Sequence, residues 1–315
     1  METQKVVTKS YGTLVRTDSP AVNAQFEAFK LAGAVLGGEP GQPWQSPINL
    51  PVEFDGRIQW KEYLSPIREQ KNCGNCWAIA TTDALGDRFS LFTFGQVQPP
   101  LAACSMTICE YDISTRAEFQ DVFSSMQKAA GYAERVLANK ACAGNTLFNA
   151  ARYCFYRGVP YGYCCGPTST AALNDPLLDI LQNYKPGSGK PLPLCEQLVG
   201  LNHTHCSDSR TAMHVFRART FGSVAACESD GGSEEVLKYT LYKFGPAAGG
   251  FDVYPSFLDG YDGTTVYEGP RGSGEQASGG HAVRIVGWGG GPGSSSPHDP
   301  PYWILANSWG ESWGE

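Results

Sequence analysis

Apolar and polar positions alternate with three different rhythms along this chain, and each predicts a different element. From Cys76 to about Phe94, Trp77, Ala80, Ala84, Leu85 and Phe89 recur near a 3.6-residue period with no proline among them, which predicts a buried helix. A second helix is predicted over Phe119–Tyr132, with Phe119, Val122, Phe123, Met126 and Ala130 on one face, and a third over Asn149–Tyr156. The rhythm changes toward the C-terminus. His281-Ala-Val-Arg-Ile-Val-Gly-Trp288 and Tyr302-Trp-Ile-Leu-Ala306 are rich in branched and aromatic residues and read as strands, joined by a Gly/Ser/Pro loop over Gly289–Pro301. Helices first and strands later predict an α+β fold with segregated layers. Tyr161 to about Arg210 is turn-rich with four cysteines and reads as a cross-linked loop. Near the N-terminus, a short amphipathic stretch around Phe26, Phe29, Leu31 and Leu36 runs into the Gly/Pro-rich linker 37–43. The expected division is therefore residues 1–49 as a leading segment and 50–315 as the main domain.

Composition narrows the function classes. The formal net charge is −7 and charged residues make up 17%, so no basic face for nucleic acid is expected. No apolar run is long enough to span a bilayer, so no membrane partner is expected. Met1-Glu2-Thr3-Gln4-Lys5 shows no apolar leader, whereas eleven cysteines suit a disulfide-forming compartment. These two signals conflict, and the cysteine count carries more weight; an incomplete N-terminus would reconcile them. An odd count leaves at least one thiol over.

One candidate for a reactive thiol stands in Gln70-Lys-Asn-Cys-Gly-Asn-Cys76-Trp77. A thiol attacks as thiolate, and a helix N-terminus at Cys76 lowers its pKa, as a nearby imidazolium would. The Gln70 amide, on the loop feeding that helix, is placed to donate to an oxyanion beside the Cys76 N–H. His281, opening a strand after two glycines, is the candidate base, and Asn307 can orient its ring, with Trp309 shielding that bond. Taken singly, such a Cys is a small buried hydrophobe or half a disulfide, such a His structural and such an Asn a turn residue. The joint pattern, with Gln, Cys, His and Asn in that chain order, carries the reading.

Gln-x-x-Cys-Gly-x-Cys-Trp, Gly-His-Ala-Val and Asn-Ser-Trp-Gly-x-x-Trp-Gly together resemble the signature blocks of papain-like cysteine peptidases. Within that family, Leu50-Pro-Val-Glu-Phe-Asp-Gly-Arg57, Phe244–Phe251 and Ser278–Trp288 are similar to the cathepsin B kind, and Leu31–Gly38 to the end of its propeptide. The resemblance implies a papain-like two-lobed fold, a helical N-terminal lobe against a β-rich C-terminal lobe, with residues 1–49 propeptide-like. It implies Cys76 as nucleophile, His281 as proton shuttle, Asn307 as its holder and Gln70 as oxyanion donor. Gly74, Gly144, Asn145, Gly280 and Trp309 would line the substrate, with disulfides Cys73–Cys142 and Cys195–Cys206. No metal or organic cofactor is expected. Partners would be protein or peptide substrates and cystatin-type inhibitors, the chain a monomer, and the compartment a lysosome, another acidic vacuole or the exterior.

Several positions depart from the family pattern. The two adjacent histidines of the occluding loop are replaced by Gln197 and Leu198, so an endopeptidase rather than a dipeptidyl carboxypeptidase is expected; His203 and His205 in that loop are candidates to substitute for them, though the reading as surface residues is favoured. Asn145 stands where a small residue is usual and would put a side chain in the path of a substrate strand. Lys71, Asn72 and Asn75 replace smaller residues, 110–139 reads as an insertion, and the C-terminus reads as truncated after Trp313-Gly-Glu315. Three alternatives remain: a catalytically inactive homologue acting as a binding or matrix protein, a Cys73-Gly-Asn-Cys76 thiol–disulfide oxidoreductase, and zinc held by Cys73, Cys76, His203, His205 or Cys206.

Overall fold

The computed structural model describes residues 46–114, 142, 144–160, 215–219, 221, 233–272 and 274–315. The predicted helix over 119–132, the leading segment up to residue 45, most of the expected insertion and the whole of 161–214 lie outside them. With the last go Cys195, Cys206, Gln197, Leu198, His203 and His205.

Strand β5 (Gly279–Gly289) is the axis of the sheet. Strand β4 (Ala247–Val253) pairs antiparallel with its first half, from Val253↔Gly279 to Ala247↔Ile285, and β1 (Phe54–Asp55) with its last residues. Strand β6 (Tyr302–Ala306) pairs antiparallel from Arg284 to Gly289. Arg284 and Ile285 pair with both β4 and β6, and Gly287 and Trp288 with both β1 and β6. So β4 and β1 lie end to end along one edge of β5 and β6 runs along the other. Between Ile285 and Gly287 the β5–β6 register slips by one residue. Gly287 is needed there because a Cβ would run into the Phe54 carbonyl of β1.

Helices pack on this sheet and on one another. They are α1 (Gly56–Gln59), α2 (Cys76–Phe92), α3 (Ala103–Ser114), α4 (Leu147–Tyr156), α5 (Ser233–Phe244) and α6 (Pro255–Leu258). A small pair, β2 (Val159–Pro160) and β3 (Val215–Phe216), stands apart from the main sheet. The sequence placed α2 and α4 within two residues of their observed ends. Thr146 extends α4 backward by accepting the Asn149 N–H at 3.2 Å, an N-cap. Phe94 and Gly95 end α2 in left-handed conformations.

Helix α3 was not foreseen. Cys104, Ser105, Met106, Thr107, Ile108, Cys109 and Glu110 are all buried, so over these residues the helix presents no exposed polar face and no periodic stripe to read. Residues 110–114 of the expected insertion belong to this helix. Strand β4 escaped for a different reason: Gly249 and Gly250 weaken its sequence signal, yet Gly249 lets the Ile285 side chain pack against its backbone.

The core divides accordingly. Trp77, Ile79, Leu101, Met106, Tyr153 and Cys154 belong to a cluster of the α2–α4 region, and Ala282 is the buried β5 residue that joins it. The sheet's other clusters form around Phe54, Leu237, Leu241, Ile285 and Trp288 and around Phe251, Val253, Phe257 and Val283. Alternation along β5 thus sends Ala282 and Arg284 toward α2, and His281 and Val283 toward the aromatic side.

Candidate active site

The segment before α2 is anchored before it reaches the helix. Glu69 forms an isolated antiparallel bridge with Trp309; Gln70 N–H donates to the Ser308 carbonyl at 2.8 Å and Gly310 N–H to the Arg68 carbonyl at 3.1 Å. Residues 68–70 are thereby stitched to the segment just after β6. The chain then turns at Gln70–Cys73, closed by Cys73 N–H to the Gln70 carbonyl at 3.3 Å, with Lys71 at φ +49°. Cys73 is disulfide-bonded to Cys142. Gly74 N–H donates to the Cys142 carbonyl at 3.0 Å, and a Cβ on Gly74 would lie 2.6 Å from that oxygen, so a side chain is excluded.

Cys76, the first residue of α2, is a half-buried free thiol. With Cys73 bonded elsewhere, the C-x-x-C pair does not exist as a dithiol, and the redox reading loses its second sulfur. The backbone N–H groups of Ala282, Trp77 and Cys76 favour the thiolate, but burial outweighs them and pushes the thiol up. The helix N-terminus was legible in the sequence; the desolvation that opposes it was not.

His281 is buried at 7% exposure. Its Nε2 lies 2.7 Å from Asn307 Oδ1, which also accepts the Ser308 N–H at 2.7 Å. An atom that accepts a backbone N–H is the carbonyl oxygen of the amide, so the imidazole nitrogen facing it must carry hydrogen. In the neutral ring this leaves Nδ1 as the basic nitrogen. Burial pushes the imidazole pKa down, and the Asn307 hydrogen bond acts against that. The Trp309 indole stacks on the ring at 4.7 Å between centroids, and Phe251, the β4 partner of His281, meets it edge-on at 5.8 Å.

Gln70 completes a chain of hydrogen bonds. Ser308 Oγ donates to Gln70 Oε1 at 2.6 Å and Gln70 Nε2 donates to the Cys73 carbonyl at 3.0 Å. The second N–H of that amide remains for a ligand. His281, Asn307, Ser308, Gln70 and the Cys73–Cys142 bridge therefore form one connected unit. Ser308 was missed as its central link, although it stands inside the Asn-Ser-Trp-Gly block.

A profile described as Papain family cysteine protease matches residues 50–315. The chain belongs to this family. Among its relatives, "Cathepsin B-like cysteine proteinase 4" of Caenorhabditis elegans is 29% identical over 274 residues, covering 84% of this chain and 68% of the relative. "Cathepsin B-like cysteine proteinase" of Schistosoma japonicum is 25% identical over 283 residues, 85% of this chain and 67% of its own length. A further Caenorhabditis elegans relative, "Cathepsin B-like cysteine proteinase 6", is 28% identical, and the match spans only 61% of it. Among solved structures, "proCathepsin B S9 from Trypanosoma congolense" superposes with a TM-score of 0.52 at 23% identity, covering 88% of this chain and 75% of that one. The papain-like α+β fold agrees with this likeness.

Around this candidate site, Gly279, Gly280 and Gly144 face open space, with nothing near the position a Cβ would take. Asn145 differs from expectation. Its side chain does not project freely: Nδ2 donates to the buried Glu110 carboxylate, and Oδ1 accepts from Thr146 N–H at 2.7 Å and Asn149 Nδ2 at 2.8 Å. Glu110, with Arg152 3.4 Å away, is buried between α3 and α4, and its need for partners draws the amide in. Asn75, also substituted relative to the family, is fully buried and donates from Nδ2 to Thr107 Oγ1 at 3.4 Å.

Proposed function

We propose that this papain-family chain is a cysteine-type endopeptidase of the cathepsin B kind. The observation that carries the reading is a free thiol at a helix N-terminus that accepts the backbone N–H of Ala282, the residue next to an imidazole whose Nε2 is fixed by an amide. Cys76 Sγ attacks the peptide carbonyl, and its proton passes to Nδ1 of His281. The oxyanion is met by the Cys76 N–H and the free N–H of Gln70. His281 then gives the proton to the leaving amine, and the acyl-thioester is released by water that His281 deprotonates. Asn307 holds the ring and accepts from Nε2–H throughout, so it steadies the imidazolium without taking a proton. Each step is met by side chains and backbone of this chain.

Gly74, Gly144, Gly280 and Trp309 line the substrate, the open surfaces of Gly144 and Gly280 leaving room for an extended peptide while Gly74 lies against the Cys142 carbonyl and Asn145 supports that wall from behind. Residues 50–315 form the peptidase domain and 1–49 a propeptide-like segment. The enzyme acts as a monomer on proteins or peptides, is open to cystatin-type inhibitors, and works in an acidic vacuole or outside the cell, where its disulfide persists.

An epoxysuccinyl peptide inhibitor followed by mass spectrometry tests this reading. The expected result is an adduct on Cys76 that disappears in His281→Ala. Folded protein that takes no label would make this chain a non-catalytic family member.

A further inference from the structure

Cys76, Asp83 and Asp87 are seven and eleven residues apart on α2, so they share one face of the helix. Cys76 meets β5 at Ala282. The two carboxylates are buried at 5% and 0% exposure, and each holds one arginine. Arg284 Nη1 donates to Asp87 Oδ2 at 2.7 Å, and Arg284 Nη2 donates to the Ser65 carbonyl at 2.8 Å. Ser65 returns its N–H and its hydroxyl to Asp87 Oδ1 at 2.6 and 2.7 Å. One turn nearer the thiol, Arg68 Nε lies 3.0 Å from Asp83 Oδ1, a charge contact without hydrogen-bond alignment, and Arg68 Nη2 donates to the Leu101 carbonyl at 3.0 Å.

The partners are what matter. Arg284 is three residues beyond His281 on the same strand. Arg68 is two residues before Gln70, in the segment stitched to Ser308 and Gly310. We infer that Asp87 and Asp83 are positioning residues: through Arg284 the first sets the register of His281 against Cys76, and through Arg68 the second sets Gln70. This rests on the catalytic reading above.

A buried ion pair gains little net stability over apolar residues of the same volume, and its best-attested use is to fix one register. Packing between a helix and a strand tolerates slippage, whereas a carboxylate buried in protein tolerates only the place where its donors converge. Burial pushes Asp87 up to about 6 against the opposing pull of Arg284 and Ser65, with Asp83 the like charge beside it. The site thus disfavours the charge that its partners hold.

Two double variants test the inference. Asp87→Leu with Arg284→Met, and Asp83→Leu with Arg68→Met, replace each pair by apolar groups and should stay folded by near-ultraviolet circular dichroism. For the first, kcat should fall about 100-fold with KM little changed, the loss expected of a displacement near 1 Å. The pH profile of Cys76 alkylation by iodoacetamide should also lose the low-pH shoulder that an imidazole neighbour creates. For the second, kcat should fall while the alkylation profile keeps its shoulder, because Gln70 acts on the oxyanion and not on the thiol. Arg284→Lys, which keeps the charge, should restore part of the shoulder and is the readout should a double variant not fold. Folded double variants with wild-type kcat and profile overturn the inference, as does an Arg284→Lys profile identical to wild type beside an unfolded double. Wild-type protein showing neither turnover nor shoulder sinks the catalytic reading itself, and the positioning roles with it.

Discussion

The Cys76 and His281 side chains share one transferable proton in the reactive state, apart from the one His281 keeps on Nε2, and the pair is net neutral whether that shared proton sits on sulfur or on Nδ1. A further proton makes a buried cation, and loss of the shared one makes a buried anion. Burial disfavours both, in line with the thiol being pushed up and the imidazole down. The sequence predicts a thiol lowered by the helix N-terminus. Burial reverses that direction and lowers the imidazole as well: the acid limb of kcat/KM should lie below the ordinary imidazole value and the alkaline limb above the ordinary thiol value, both belonging to the pair. Asn307→Ala removes the bond that favours the imidazolium, so its acid limb should shift further down, and kcat/KM should drop about 100-fold as the ring loses its orientation. Steady-state rates across acid to alkaline pH check this. An acid limb moving upward in the variant would contradict the role given to Asn307.

At the scale of elements, short helix α6 depends on a side chain outside it. Pro255 opens the helix, and Glu275 accepts from the Ser256 N–H at 2.5 Å, from Ser256 Oγ at 2.9 Å and from the Arg271 N–H at 2.5 Å. Burial pushes this carboxyl up, but the donors of Ser256 and Arg271 prevail and hold it below its ordinary 4.5. A folded-state pKa below the unfolded one gives stability that is present above about 4.5 and disappears as pH falls through the lower value. Glu275→Gln should therefore lower the urea midpoint at neutral pH and match wild type in strong acid. Equal midpoints at neutral pH would show that the clamp adds nothing. The element matters to the site because α6 supplies Phe257, which packs against Trp309 at 5.8 Å, behind the His281 ring.

For the whole molecule, the site exists only where distant parts of the chain meet. The Cys73–Cys142 bridge closes a separation of 69 residues and fixes the loop before α2 to the segment before α4. Constraining a loop of that length in the unfolded chain is worth about 4 kcal/mol on the chain-entropy account. The double variant Cys73→Ala with Cys142→Ala should lose about that much in denaturant unfolding and label more slowly at Cys76, because Gly74 keeps its close approach to Cys142 only while the bridge holds. Unchanged labelling would mean that the Gly74 N–H bond to the Cys142 carbonyl suffices.

Sequence alone determined what is local or carried by a run of residues. The helix beginning at Cys76 announces itself by period, and the strand at His281 by branched residues bounded by glycines. The three blocks around Cys76, His281 and Asn307 specify chemistry because each keeps its signature within a few consecutive positions. Tertiary structure decided the rest, for identifiable reasons. Helix α3 is buried all round from Ala103 to Glu110, so no exposed polar face betrays that stretch. The Asn145 side chain goes to Glu110 because a buried carboxylate 35 residues away needs donors. The pairing of Arg284 with Asp87, 197 residues apart, leaves no local trace, since a charged residue in a sequence looks the same whether it meets water or a partner. The pKa directions at Cys76 and His281 follow from desolvation, which belongs to the folded environment and to no residue by itself.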